Sequence, residues 1–300
     1  MQQNIPLAVA LTVAATVLFA LAATIQHYVV GAKTGKGQAL SGGQLWSLMR
    51  SPRWWLGMGL NAVGAVLALA ALMFAPVTVS QPLAILAVPW TVMLASRVGG
   101  HTIPRTVWSA VGLAVAGTLF FAVIAIVYAA DHEEFSDDGL ILGTIVGYAV
   151  AGGLALLGAR GPARTRCLAW ASAGAFIFGL ESGIVKALGE YVATREWRTS
   201  VVFWVLVVLL IVGALVATAF MQQGYATGAA ETVVGALNVV GPMAAVSFGI
   251  LVLGEGANIT ATAALAMFLS GGIAVRGVVL LSRFQPDQAV SDEGAASASS

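Results

Sequence analysis

Charge is scarce in this 300-residue chain: 9% of its side chains are Asp, Glu, Lys or Arg, against roughly a quarter in soluble domains. That shortage excludes a water-coated globule, because 59% of the residues are hydrophobic and too little polar surface remains to cover them. A formal charge of +1 gives no electrostatic footprint for a nucleic-acid partner. The lone cysteine, Cys167, excludes an internal disulfide and a thiolate metal cluster. No Gly-rich phosphate loop is present, so direct ATP drive has no support. Neither a Ser/His/Asp constellation nor a His/Cys cluster occurs, so the sequence implies no enzyme and no cofactor. A basic n-region is missing from the N-terminus, and Pro6–Val30 is therefore expected to be a retained span rather than a leader.

What is present is a series of apolar runs of about 20 residues, the length that matches a bilayer's hydrocarbon core. They predict an all-α polytopic membrane protein with about nine transmembrane helices. After Pro6–Val30 the runs fall at Trp54–Phe74, Thr78–Val98, Pro104–Ala129, Gly139–Gly158, Leu168–Glu190, Val201–Gln222, Thr227–Leu253 and Thr260–Leu281. Thirty-five glycines suit close helix packing in lipid. The chain divides into a first span at 1–30, a cytoplasmic connector at 31–53 that is either a plain solvated linker or carries a short interfacial helix around Trp46, and the rest of a first half at 54–130. An acidic loop at 131–138, a second half at 139–282 and a disordered tail at 283–300 complete it.

Lys and Arg alternate between loops. Lys33, Lys36, Arg50, Arg53, Arg97, Arg105, Arg160, Arg164, Arg166, Arg276 and Arg283 fall on one side, and Arg195 and Arg198 on the other. Positive loops stay cytoplasmic, which puts the N-terminus outside, the C-terminus inside and the acidic run from Asp131 to Asp138 outside. The expected location is a bacterial-type cytoplasmic (inner) membrane. The expected partners are the bilayer and a small ion or small-molecule substrate, with a homodimer compatible with the sequence.

The chain also resembles itself. Phe19–His27 aligns with Phe178–Lys186, Trp55 and Val63-Gly64-Ala65 align with Trp204 and Val212-Gly213-Ala214, and Pro89 corresponds to Pro242 after a four-residue shift. Under the charge-based topology the equivalent spans run in opposite directions. The expectation is an inverted repeat of four plus five helices, with the fifth span leading the second half, and such repeats are a transporter architecture.

A family resemblance rests on Trp54-Trp55, Gly57, Asn61, Gly64, Phe74-Ala75-Pro76, Thr78, Val79 and Pro82-Leu83, on Gly183-Ile184-Val185-Lys186-Ala187, and on Gln223, Tyr225, Ala229, Pro242 and Glu255. In these positions, from about Leu7 to Leu281, the chain resembles the drug/metabolite transporter (DMT) superfamily, and within it the NIPA-type magnesium transporters. The resemblance implies a nine-helix inverted-repeat bundle with the N-terminus outside, working as a secondary carrier. Where that family carries a Tyr-Tyr stretch after the eighth-helix proline, this chain has Met243-Ala244-Ala245.

An ionisable side chain at the centre of a membrane helix costs about 2.5–3.5 kcal/mol on insertion scales, so the few present are candidates for function. Glu181, near the middle of the sixth span, is the first: it can carry a coupling proton, face a cationic substrate or serve as a hydrogen-bonded structural residue. Lys186, five residues on and about 140° around the helix, either joins the site or snorkels. His27, its repeat equivalent, is a second coupling candidate or a neutral His on a carbonyl. Glu231, Asn238 and Pro242 lie within about 20° of one helical stripe, with Gly235 between them. Asn61 and Gln81 are further substrate-binding candidates, and Pro82, Pro89, Pro242 and Gly235 are expected helix breaks that free carbonyls for a substrate. A Mg2+ ion needs one or two carboxylates, which Glu181 and Glu231 can supply. The expected function is a carrier for a small cation (Mg2+-like) or small metabolite, against a proton-coupled exporter of an organic metabolite and a non-transporting envelope scaffold.

Overall fold

The computed structural model describes residues 5–33, 38–72, 74, 84–99, 102–128, 136–194, 197–256 and 258–283, and every regular element among them is an α-helix. The helices are α1 Ile5–Gly31, α2 Gly42–Leu48, α3 Pro52–Leu72, α4 Ala87–Gly99, α5 Arg105–Tyr128, α6 Asp137–Arg160, α7 Ala163–Thr194, α8 Val201–Thr227, α9 Ala230–Val252 and α10 Ala261–Ser282. Seven of them, α1 and α5 to α10, are long and apolar enough to cross a membrane. The chain is a polytopic helical membrane protein. Of the nine expected spans, the second coincides with α3, and α4 covers the later part of the third. The earlier part of the third, with Gln81 and Pro82, lies outside the described residues, as do Asp131–Phe135 of the acidic run and the tail from 284.

Large apolar side chains point outward along whole helices. Leu142, Ile145 and Leu156 on α6 and Val208, Ile211 and Leu215 on α8 are exposed, a surface suited to lipid rather than water. The inward faces are small. On α3, Gly57, Asn61, Gly64 and Ala71 form one stripe against α1, and Gly64 stands against the ring of Phe19. The connector carries α2 where a helix around Trp46 is expected. Its start is fixed by a capping box, with Gln44 N–H donating to Ser41 Oγ at 3.3 Å and Ser41 N–H donating to Gln44 Oε1 at 2.8 Å.

Two local arrangements occur twice. Trp55 donates its indole N–H to the carbonyl of Met49 at 2.7 Å, and Trp204 donates to the carbonyl of Arg198 at 3.2 Å, each reaching six residues back. Each indole also has its preceding aromatic packed edge-on: Trp54 at 5.1 Å and Phe203 at 5.3 Å. The second is the crossing of α5 and α10. Gly117 lies on the backbone of Ser270 and Ala274, while Gly277 lies on that of Ala110 and Ala114. The contact moves backward along one helix as it advances along the other, so the pair is antiparallel. The triplets Ala110, Ala114, Gly117 and Ser270, Ala274, Gly277 have the same spacing. The crossing therefore has local two-fold symmetry, with each glycine letting the other backbone approach.

Candidate functional site

Glu181 sits on α7 in the groove between α6 and α8, 7% exposed. Its Oε1 is buried with no hydrogen-bond partner among the described residues. Opposite it, Gly213 of α8 leaves the room that this carboxylate and the hydroxyl of Tyr148 from α6 both occupy. Tyr148 donates its hydroxyl to the carbonyl of Leu209 at 3.0 Å, bridging α6 to α8. The glycine is what admits the carboxylate. A methyl there would collide with the ends of two side chains that can swing away, so Gly213→Ala is expected to fold yet displace the carboxylate. If the chain carries a substrate past this groove, as the sequence leads one to expect, the variant's net flux in reconstituted vesicles should fall several-fold at unchanged yield, and unchanged flux would place Glu181 outside any such pathway.

A second polar cluster joins α1, α3 and the last turns of α8. Gln222 donates to Gln26 Oε1 at 2.8 Å and accepts from the indole N–H of Trp54 at 3.2 Å. Gln223 takes both backbone groups of Leu40, accepting its N–H and donating to its carbonyl, each at 2.7 Å. His27 Nδ1–H donates to the carbonyl of Tyr225 at 3.1 Å. Gln26, Gln222 and Gln223 are all buried, and every one of these bonds ties the first half of the chain to the second. Gly213 and Gln222 are nine residues apart, which places the two clusters on opposite faces of α8 and about 14 Å apart along it. Gln223→Leu would strand both backbone groups of the buried Leu40, and a stranded polar group costs about 1–3 kcal/mol. We expect a loss of about 2–4 kcal/mol, read as a lower unfolding temperature and faster proteolysis of the 31–53 connector.

The remaining candidates are dispersed. Lys186 is exposed on α7 and pairs with Glu255 in the α9–α10 turn, while Glu181 faces the other way. Glu231 is buried in the first turn of α9, where no side chain caps the helix. Just before it, Gly228 packs on Cys167 near the start of α7. Cys167 and Glu181 are 14 residues apart on that helix, about 21 Å, so Glu181 and Glu231 cannot ligate one ion in this arrangement. Among the described residues no group of three or more His, Cys, Asp or Glu is placed to hold a metal. Asn238 is half-buried and donates to the carbonyl of Val234 in its own helix at 2.9 Å. Asn61 is half-buried in the α3 stripe against α1.

In place of the expected breaks, α9 is continuous from Ala230 to Val252, with Gly235 packed toward Val278 and Leu281 of α10. Pro242 still lacks the N–H that would meet the carbonyl of Asn238. Pro89 falls in the first turn of α4, where an N–H has no intrahelical acceptor to miss.

Sequence reasoning passed over Tyr148, Gln26, Gln222 and Trp54 as site residues. The signal was there for the glutamines, since each is a polar residue at the edge of an apolar run.

No family model and no solved structure matches the chain. An uncharacterized protein of Corynebacterium glutamicum is 26% identical over 284 residues, which is 94% of this chain and 96% of that protein. The two are thus similar over nearly their whole lengths.

Proposed function

We propose that this chain is a secondary membrane transporter of the drug/metabolite type, moving a small cation or small metabolite by alternating access between two inverted halves. The observation that carries the reading is the reciprocal α5–α10 crossing. In an inverted repeat of four plus five helices these two are equivalent, and a two-fold axis through their crossing would lie in the membrane plane. The matched indole bonds of Trp55 and Trp204 support the same pairing of halves. Glu181 is the coupling or substrate-facing group, and the glutamine cluster closes the two halves against each other at one end.

Proton-coupled movement of an organic metabolite is the second reading. It is favoured by the separation of Glu181 from Glu231, because a lone carboxylate carries a proton without help, whereas the two glutamates expected to share one Mg2+ ion stand too far apart to do so. Flux in vesicles reconstituted with purified protein discriminates the two, with Mg2+ and a metabolite panel compared under an imposed pH gradient. Metabolite flux that follows the pH gradient supports the second reading, and Mg2+ flux driven by membrane potential alone supports the first. No flux of either kind under any gradient would favour a scaffold.

The proposed topology has the N-terminus outside and the C-terminus inside a cytoplasmic membrane. A reporter fused after Ser300 is expected to be cytoplasmic and a tag within Asp131–Asp138 accessible from outside. Both labels on one side would remove the inverted arrangement.

A further inference from the structure

The first acidic residue in the sequence is Asp131, and before it stand Lys33, Lys36, Arg50, Arg53, Arg97 and Arg105. The first half therefore contains no carboxylate to balance its cations. A cavity of about 380 Å³ opens between α1, α4 and the start of α3, with Ile25, Val29 and Val98 along its wall and Lys33, Ser51 and Arg53 among its polar lining. That volume is within the range of small-molecule sites.

Lys33 is held there by α2. Its ammonium donates to the carbonyl and hydroxyl of Ser47 at 3.1 and 3.2 Å, and the Gln44 side chain donates to the Lys33 carbonyl at 3.0 Å. These bonds use two of the three ammonium donors. The N-terminus of α3, at Pro52, adds its positive dipole end beside Arg53.

We propose that this cavity binds one anionic phospholipid, with its phosphate against Lys33 and Arg53 and one acyl chain along Ile25, Val29 and Val98. Among the described residues neither cation is paired with a carboxylate, and two such cations call for an anion. An apolar wall beside them calls for an anion that carries a hydrocarbon chain, since a free phosphate would leave that wall wet. Basic pockets between membrane helices recognise lipid headgroups in this way. The inference does not depend on what is transported.

The test is native mass spectrometry of the full-length protein in neutral detergent, with phosphatidylglycerol and phosphatidylcholine of identical chains and with inorganic phosphate as competitor. The wild type should retain phosphatidylglycerol about tenfold better than phosphatidylcholine. Lys33→Gln/Arg53→Gln should lose that preference, whereas Arg160→Gln/Arg164→Gln, outside the cavity, should keep it. Arg53→Gln alone, at an exposed position, should weaken the preference even where the double variant fails to fold. Equal retention of both lipids by the wild type, an undiminished preference in the folded Lys33/Arg53 variants, or displacement of the lipid by inorganic phosphate would overturn the proposal. A transporter without this preference would refute the lipid site alone, and a lipid-binding protein without flux would refute the transport reading alone.

Discussion

Replacing Glu181 by Gln is expected, under the proposed transport function, to give a protein that inserts and folds but has lost net transport. The substitution keeps shape and hydrogen-bonding capacity and removes titration. A fixed charge at membrane depth costs about 2.5–3.5 kcal/mol unless something offsets it, so a neutral amide in the groove beside Tyr148 and Gly213 should not destabilise the fold. If Glu181 carries only the coupling proton, substrate exchange across the vesicle should persist while net flux disappears. If it touches a cationic substrate, exchange should disappear too. Wild-type net flux at every pH tested would return Glu181 to a structural role in the α6–α8 groove.

Gly117→Leu is expected to abolish assembly of the bundle. A Cβ at this position would stand 2.8 Å from the Cα of Ala274, and a backbone atom in a packed helix cannot rotate aside. Even Gly117→Ala should cost about 1–3 kcal/mol as overpacking, and Gly277→Ala should cost the same because its surroundings mirror those of Gly117. The controls lie on the same two helices. Gly112 and Gly272 have nothing within 4 Å, so alanine there should be neutral or stabilise by up to about 1 kcal/mol through helix propensity. Thermal unfolding in detergent reads all five variants. Equal behaviour of Gly112→Ala and Gly117→Ala would show that the crossing does not depend on close approach.

Hydropathy made the long helices legible because each must bury or expose an entire apolar surface, and the run lengths follow bilayer thickness. It placed the end of one span at Gln222, whereas α8 continues to Thr227. The two glutamines read as polar residues leaving the membrane, but they are buried because distant backbone and side-chain groups complete their hydrogen bonds. Those partners lie 168 to 196 residues away, and no periodicity in a single sequence encodes such a pairing. Glu181 stood out because a lone carboxylate in an apolar run has few explanations. Its neighbours did not, since Tyr148 is an ordinary residue for a membrane helix and Gly213 is one glycine of 35. Glu231, Asn238 and Pro242 share one continuous helix, but helical angles alone do not say which neighbour a stripe on it meets.

The 32 residues of α7 make a rod about 48 Å long, more than the hydrocarbon thickness of about 30 Å. Its midpoint falls between Phe178 and Gly179, less than one turn from Glu181. A rigid tilt of about 10° around that point would sweep each end through roughly 4 Å, yet shift the backbone of Glu181 by about 0.7 Å. The carboxylate therefore stands at the fulcrum of the longest lever among the described helices. Rocking of this rod would part its neighbours at one extremity or the other while the carboxylate stays where it is.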